Sequence, residues 1–347
     1  MNRTKDAISL MVQGLFPSVA QLRLAFDDIL EPDAPPAIVA SFLTALRMSG
    51  ERAETLSAAL EAVLARMVPF GDPESIGPVR LDTCGTGGDH ASSLNVSTAS
   101  AIVCAAAGVP VIKHGNRAAT GKSGSSQVLE ALGVRLDLSP PALQEAARRF
   151  GFAFLFAPAF HPALKSLAPV RAALPFRTVF NLIGPLANPA RPTHQLLGVP
   201  DAALADLFAQ VLRISGVQRS VIVTGQDGLD EVTLGAPTRA LLVTPEGVEE
   251  HLWHPELTFR LPMHEPREIR VESPEESARR IRAVFAGKAE HPADEAYIVA
   301  NAAAGLWVTE KVPTPGDGVQ AARQAIASGK AAETLESYAA FSRAGQG

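Results

Sequence analysis

The chain has 347 residues, 47% hydrophobic and 19% charged, with a net charge of −5 at neutral pH. That length suffices for two domains, or for one large α/β unit with a smaller companion. The negative balance excludes a chain built as a whole to grip nucleic acid, so any anionic ligand needs a local basic site. Two cysteines, Cys84 and Cys104, exclude a disulfide framework and offer no metal-ligand spacing.

The first residues carry only a short apolar run, 7–12, without the long apolar core and small-residue cleavage site of a signal peptide. The longest apolar run, 99–112, is interrupted by Ser100, Gly108 and Pro110 and is too short to span a bilayer. With the sparse cysteines, this predicts a cytoplasmic protein without membrane association. Residues 1 to about 68 read as helical. Ile38, Phe42, Ala45 and Leu46 recur at helical spacing before Gly50, and Leu56, Leu60, Val63, Leu64 and Met67 repeat the pattern. The proline- and glycine-rich stretch 69–78 reads as a linker. The domain division predicted is 1–70, helical, and 71–347, α/β.

Beyond the linker, strands are predicted at 79–82, 109–113, 153–156 and 220–224, with helices at 98–107 and 125–132. Such alternation argues for a mainly parallel sheet flanked by helices. Residues 239–271 read as β-rich and irregular. Helices return over 274–344, interrupted at Gly287, at 313–318 and at Gly329. In open α/β sheets, ligands gather at the carboxyl ends of strands. The predicted strand ends at Asp82, Lys113 and Thr224 are each followed by glycine-rich, polar loops.

The first of these loops is Asp82-Thr83-Cys84-Gly85-Thr86-Gly87-Gly88-Asp89. Its glycines allow close backbone approach to a ligand, but it is neither a Walker loop nor a dinucleotide fingerprint. Taken alone it reads first as a flexible turn. Asn95-Val96-Ser97-Thr98 follows, with Ser97 placed to cap a helix; alone, capping is the better reading, and phosphate or metal contact the functional one. The stretch 113–126 concentrates Lys113, Arg117 and Lys122 with hydroxyls ahead of a helix start near Ser125, which favours phosphate binding. Asp230 and Glu231 lie in a glycine-led loop. Adjacent carboxylates suit magnesium, which uses one or two carboxylates plus substrate phosphates, although an isolated pair is more often a polar turn. Arg171 sits among apolar neighbours, either as a fork for a ligand carboxylate or in a structural salt bridge. Together these elements describe a phosphate cradle, a magnesium pair and an arginine for a second, anionic substrate.

In this order the motifs resemble those of the anthranilate phosphoribosyltransferase family, over residues 20 to 345. The anchors are the runs 85–89, 95–98, 113–117, 122–125 and 230–231, with 156–171 and 177–186. The resemblance implies transfer of a phosphoribosyl group from its diphosphate donor to the amine of anthranilate, in tryptophan biosynthesis. It also implies a small helical domain beside a larger α/β domain, a later helical contribution from 160–190, and a homodimer through the helical part. Carried over residue by residue, Gly85, Gly88, Asp89 and Ser93 line the donor site. Asn95, Val96, Ser97 and Thr98 meet the diphosphate, and Lys113, Arg117 and Ser125 hold phosphate groups. His114, Gly115, Ala118, Ala119, Thr120 and Gly121 complete the substrate set. Asn116 and Arg171 bind the acceptor and, with Lys113, carry the catalytic positioning. Asp230, Glu231 and Ser97 ligate magnesium, two ions per subunit. Gly121 stands where the family has serine, and Leu164 and Ser166 replace its methionine and histidine in the acceptor channel. The rival readings are a pyrimidine nucleoside phosphorylase-like enzyme and a non-catalytic nucleic-acid-binding relative of the same fold.

Overall fold

The computed structural model describes residues 2–87, 92–117 and 123–344. Four helices open the chain: α1 (Asn2–Val12), α2 (Val19–Ile29), α3 (Pro36–Met48) and α4 (Ala53–Leu64). α2 shows why they form. The Ser18 hydroxyl accepts the Gln21 amide and the Gln21 side chain accepts the Ser18 amide, a reciprocal cap on the first turn. Leu22, Ala25, Phe26 and Ile29 then fall on one buried face. α4 ends at Leu64, short of the predicted Met67.

The α/β part begins with β1 (Leu81–Gly85), α5 (Val96–Ala106), β2 (Val111–Gly115), α6 (Ser125–Ala131), α7 (Pro140–Phe150) and β3 (Phe152–Phe156). Helices α8 (Ala157–Phe160), α9 (Ala163–Ala173) and α10 (Val179–Leu182) follow, then β4 (His194–Gly198), α11 (Ala202–Ser215) and β5 (Arg219–Gly225). The chain closes with β6 (Thr238–Thr244), β7 (Gly247–Trp253), α12 (Pro274–Phe285), α13 (Pro292–Val308), α14 (Pro315–Ala327) and α15 (Lys330–Ala344). The strands form one sheet in the order β3-β2-β1-β4-β5-β6-β7. β3 through β5 in that order are parallel, and β6 and β7 are added antiparallel at one edge. A small helical domain beside a larger, mainly parallel α/β domain is the architecture observed.

Side chains alternate across this sheet. Val221 and Val223 join a core with α5 and α13, whereas Ile222 joins the core that holds α2, α3, α4 and α11. Each fully buried aliphatic side chain contributes about 1.5–3 kcal/mol of transfer free energy. Leu167, Val179 and Phe180 lie in the second core too, and the Phe180 ring stands edge-on to Phe26 at 6.0 Å. The segment carrying Arg171 is therefore packed onto the N-terminal helices.

Three sequence expectations need correction. The first two strands begin two residues later and run to Gly85 and Gly115, so the strand ends lie beyond Asp82 and Lys113. Strand β4 is absent from the sequence expectation, because His194-Gln195-Leu196-Leu197-Gly198 lacks β-branched residues; burial between two strands, not propensity, makes it a strand. The stretch 313–318 is not only a break: Thr314 caps α14 by accepting the Asp317 amide, and Pro315 starts the helix. Among the described residues, no helix is long and apolar enough to cross a membrane.

Candidate active site

β1 and β4 are neighbours, yet the chain leaves β1 toward β2 and β3 and returns to β4 and β5 on the other side. That reversal opens a crevice at the carboxyl ends of β1 and β4, where open α/β sheets place ligands. Gly85 and Gly198 end the two strands in register, and the Thr86 amide donates to the Gly198 carbonyl at 3.0 Å. The loop after β5 crosses directly over them. A Cβ on Gly198 would lie 1.7 Å from the Asp230 carbonyl oxygen, and one on Gly85 would lie 2.6 Å from Asp230 Oδ2. Glycine at both ends is thus a steric requirement for Asp230 to reach the crevice. There, the Gly87 amide donates to Asp230 Oδ2 at 2.9 Å.

Glu231 faces the adjacent helix. Its Oε1 accepts the Ser97 amide at 3.2 Å, so a carboxylate from another loop satisfies an N–H of the first turn of α5. This corrects the capping assignment. The N-cap is Asn95, not Ser97, and the helix starts at Val96. Asn95 makes no side-chain cap because its amide is engaged elsewhere: Oδ1 accepts from the Ser123 and Ser277 hydroxyls at 2.6 and 2.8 Å, and Nδ2 donates to the Ser123 carbonyl at 3.0 Å. Asn95 ties the loops after β1 and β2 to α12. Ser93 pairs with Arg270, Val96 points into the core, and Thr98 is buried in the first turn.

Lys113 lies beneath this cluster, 2% exposed. Its ammonium donates to Ser97 Oγ at 2.8 Å and to the carbonyl and hydroxyl of Thr83. Burial lowers its pKa, opposed by Asp82, Cys84 and Glu231. Asp82 is fully buried, and desolvation raises its carboxyl to about 6 against the pull of Lys113 and the Asn188 amide, which donates to it at 2.9 Å. Lys113 therefore supports the site from below, through Ser97.

His114 follows Lys113 on β2, and Arg171 lies on α9, which packs against α3. The His114 amide donates to Asp82 Oδ1 at 3.2 Å, and its ring stands edge-on to His161 at 5.1 Å. Burial, then the nearby His161 and Lys113, push His114 down to about 3, against a hydrogen bond to the Gly184 backbone; the imidazole is neutral, and its Nε2 is buried without a partner among the described residues. His161 is lowered by burial, against a weak interaction with the Ala187 backbone, and neither buried ring nitrogen makes a well-formed hydrogen bond among the described residues. Arg171, in the last turn of α9, holds its guanidinium 5.9 Å from the centre of the Phe180 ring. Its Nε is buried with no acceptor among the described residues, and burial alone lowers its pKa. A half-buried guanidinium whose Nε has no acceptor among the described residues suits a carboxylate from outside the chain.

Not every predicted residue converges. Arg117 pairs with Glu130 on α6 at 2.8 Å, and Asn116 Oδ1 accepts the Arg117 amide. Ser125 donates to the Asn116 carbonyl at 3.3 Å above Gly115, where a Cβ would lie 2.4 Å from that hydroxyl. Gly88, Asp89, Ala118, Ala119, Thr120 and Gly121 lie outside the described residues. Sequence reasoning missed Gly198, His161 and Asn301, whose amide holds Val232. Asn301 carried a signal, a lone amide in the apolar run 298–304. Two adjacent carboxylates and the Ser97 hydroxyl are hard oxygen donors and suit magnesium. No group of three or more His, Cys, Asp or Glu among the described residues is arranged as a self-sufficient metal cage.

Fold and crevice together define a two-domain glycosyl transferase. Residues 77–332 match the model of the glycosyl transferase family a/b domain, and residues 5–67 match that of its helical bundle domain. The chain is 44% identical over 335 residues to the anthranilate phosphoribosyltransferase of Methylobacterium radiotolerans, covering 96% of this chain and 95% of that one. It is 43% identical to that of Thermomicrobium roseum, covering 98% and 97%. The crystal structure of the Thermus thermophilus enzyme superposes with a TM-score of 0.89 at 37% identity, covering 97% and 99%. The Saccharomyces cerevisiae enzyme in complex with PRPP and Mg superposes with a TM-score of 0.88 at 29% identity, covering 98% of each chain. The chain belongs to the anthranilate phosphoribosyltransferase family.

Proposed function

We propose that the chain transfers the 5-phosphoribosyl group of phosphoribosyl diphosphate to the amine of anthranilate, releasing diphosphate, in tryptophan biosynthesis. The observation that carries this reading is the meeting of the Asp230–Glu231 pair with the glycine loop and the α5 N-terminus, in a fold whose α9 carries Arg171, its buried Nε without an acceptor among the described residues. The first half suits a metal-chelated diphosphate and the second an aromatic carboxylate.

Asp230, Glu231 and Ser97 would hold magnesium, two ions per subunit. When bound, the metal neutralises charge developing on the leaving diphosphate. The chain's own groups do the rest. The backbone around Gly85 and Gly87 and the N-terminus of α5, with Asn95, Val96 and Thr98, receive the diphosphate. Gly88, Asp89 and Ser93 line the donor site. Lys113 adds positive charge beneath Ser97, Arg117 and Ser125 hold phosphate groups, Arg117 exchanging Glu130 for a phosphate oxygen, and Ala118, Ala119, Thr120 and Gly121 belong to the same substrate set.

Arg171 and Asn116 clamp the acceptor carboxylate, beside Gly115 and His114. They place the amine nitrogen for attack at C1 as the bond from C1 to the diphosphate oxygen breaks, the leaving group taking the bonding pair and the nitrogen then releasing one proton to water or to the departing diphosphate. An aryl amine is neutral near pH 7, so its lone pair needs no strong base. A histidine near 3 is too weak to serve as one. His114 instead offers the ring a neutral, shape-defining edge.

In this reading the domain boundary falls near residue 70, and the enzyme works in the cytoplasm as a homodimer joined through its helical part. Val12, Leu15, Val19 and Met48 there expose 77, 55, 45 and 83% of their surface, an apolar set for a second copy to cover. Incubation with donor, magnesium and anthranilate, followed by mass spectrometry, tests the activity: the acceptor gains one phosphoribosyl unit. Thymidine cleavage by phosphate without such a product would favour the nucleoside phosphorylase. Retention of labelled DNA or RNA without turnover would favour the binding relative.

A further inference from the structure

The Asp230–Glu231 pair has no rigid element of its own; it sits on a turn between β5 and β6. Both ends of that turn are anchored. At the first, the Gly225 amide donates to the Leu229 carbonyl at 2.9 Å, and Leu229 is buried. At the second stands Val232, whose amide donates to Asn301 Oδ1 at 2.9 Å while Asn301 Nδ2 donates to the Val232 carbonyl at 3.0 Å. One side-chain amide thus engages both backbone groups of the residue after Glu231, as a neighbouring strand would. Two antiparallel bonds fix the rotation of a peptide, where a single bond leaves it free. Nδ2 also donates to the Tyr297 carbonyl at 3.0 Å, so both amide hydrogens are engaged and the amide has no free donor to trade for another partner. Asn301 is fully buried on α13, and α13 packs along α5, the helix whose first turn meets Glu231. A single helix therefore sets the carboxylate pair and the N–H group that receives it.

We infer that Asn301 is the positioning residue of the Asp230–Glu231 pair. It holds both carboxylates against the Gly87 and Ser97 amides, ready for a divalent cation. The inference rests on the reading of that pair as the magnesium site. Leucine at 301 would keep the helix and occupy the space of the amide, and alanine would keep the helix, but with either the Val232 backbone would lose its only side-chain clamp among the described residues.

The test reads Asn301→Ala twice. In the metal-free protein, amide hydrogen exchange at Gly87 and Ser97 is expected to quicken at least about tenfold while α11 exchanges as before, because loss of the clamp loosens their acceptors. In turnover assays, half-saturating magnesium is expected to rise about 10- to 100-fold, the cost usual for an outer-shell partner, with the acceptor KM unchanged. If Asn301→Ala does not fold, Asn301→Asp is read in its place; it keeps the acceptor for the Val232 amide and loses the donor to the Val232 carbonyl. A lower melting temperature with unchanged exchange at Gly87 and Ser97 and unchanged magnesium half-saturation overturns the inference. Asp230→Asn and Glu231→Gln separate it from the reading beneath. If they keep wild-type magnesium half-saturation, the pair is not the metal site, and the exchange data alone decide whether Asn301 positions it.

Discussion

Gly87 and Asp230 lie 143 residues apart in sequence and share a 2.9 Å hydrogen bond, amide to carboxylate, across the ends of β1 and β4. Through it the glycine loop and the acidic loop become one wall. Gly85, Gly198 and Asn301 make it possible: two by leaving space for Asp230, one by holding Val232.

Arg171→Ala removes a guanidinium whose Nε has no partner among the described residues. Steady-state kinetics should show the acceptor KM raised roughly 10- to 100-fold, the value of a charge-assisted pair, and the donor KM nearly unchanged. Equal effects on both substrates would refute the clamp.

Gly198→Ala forces a Cβ onto the Asp230 carbonyl, and a backbone atom cannot rotate away. The expected loss is about 1–3 kcal/mol of stability, read from urea midpoints, with turnover reduced further because Asp230 is displaced. Gly247→Ala, where a Cβ meets open space, is the control and should match wild type.

His114 sets a pH dependence of stability. Its folded pKa is depressed from 6.5 to about 3, so below about pH 6.5 the unfolded chain binds more protons. Its contribution is therefore present above pH 6.5 and is lost as pH falls toward 3. Asp82 runs the other way: raised from 3.8 to about 6, it favours the folded state at low pH and loses that contribution as pH rises through 6. The stability difference between wild type and His114→Asn isolates the histidine and should shrink steadily from pH 7 to pH 4.5 in urea titrations. A constant difference would mean that His114 titrates normally.

Met48 is 83% exposed at the end of α3. Met48→Glu should convert dimers to monomers in sedimentation equilibrium at micromolar concentration, without loss of melting cooperativity. A wild-type chain that sediments as a monomer would remove the dimer from the account.

Much of this was legible in the sequence. The helical periodicity read over residues 1 to about 68, which overruns the end of α4 at Leu64, the alternation that makes a parallel sheet and the glycine, basic and acidic loops follow from local pattern. What sequence did not show was set by contacts remote in the chain. Strand β4 has no strand-like composition and exists because β1 and β5 flank it. Ser97 has the right residue type for a cap, but a carboxylate from 134 residues away already receives its amide. Lys113 reads as a phosphate ligand, and sequence gives no sign that its ammonium also binds Ser97 and Thr83. Gly198 is one glycine among 27 until Asp230 is seen to cross it.

Anthranilate fluorescence tests the central claim most directly. Mixed with the purified chain and phosphoribosyl diphosphate, the signal should decay when magnesium is added, stay constant in chelator and stay constant when both Asp230→Asn and Glu231→Gln are present. Undiminished fluorescence with magnesium, or equal decay in chelator, would contradict the account.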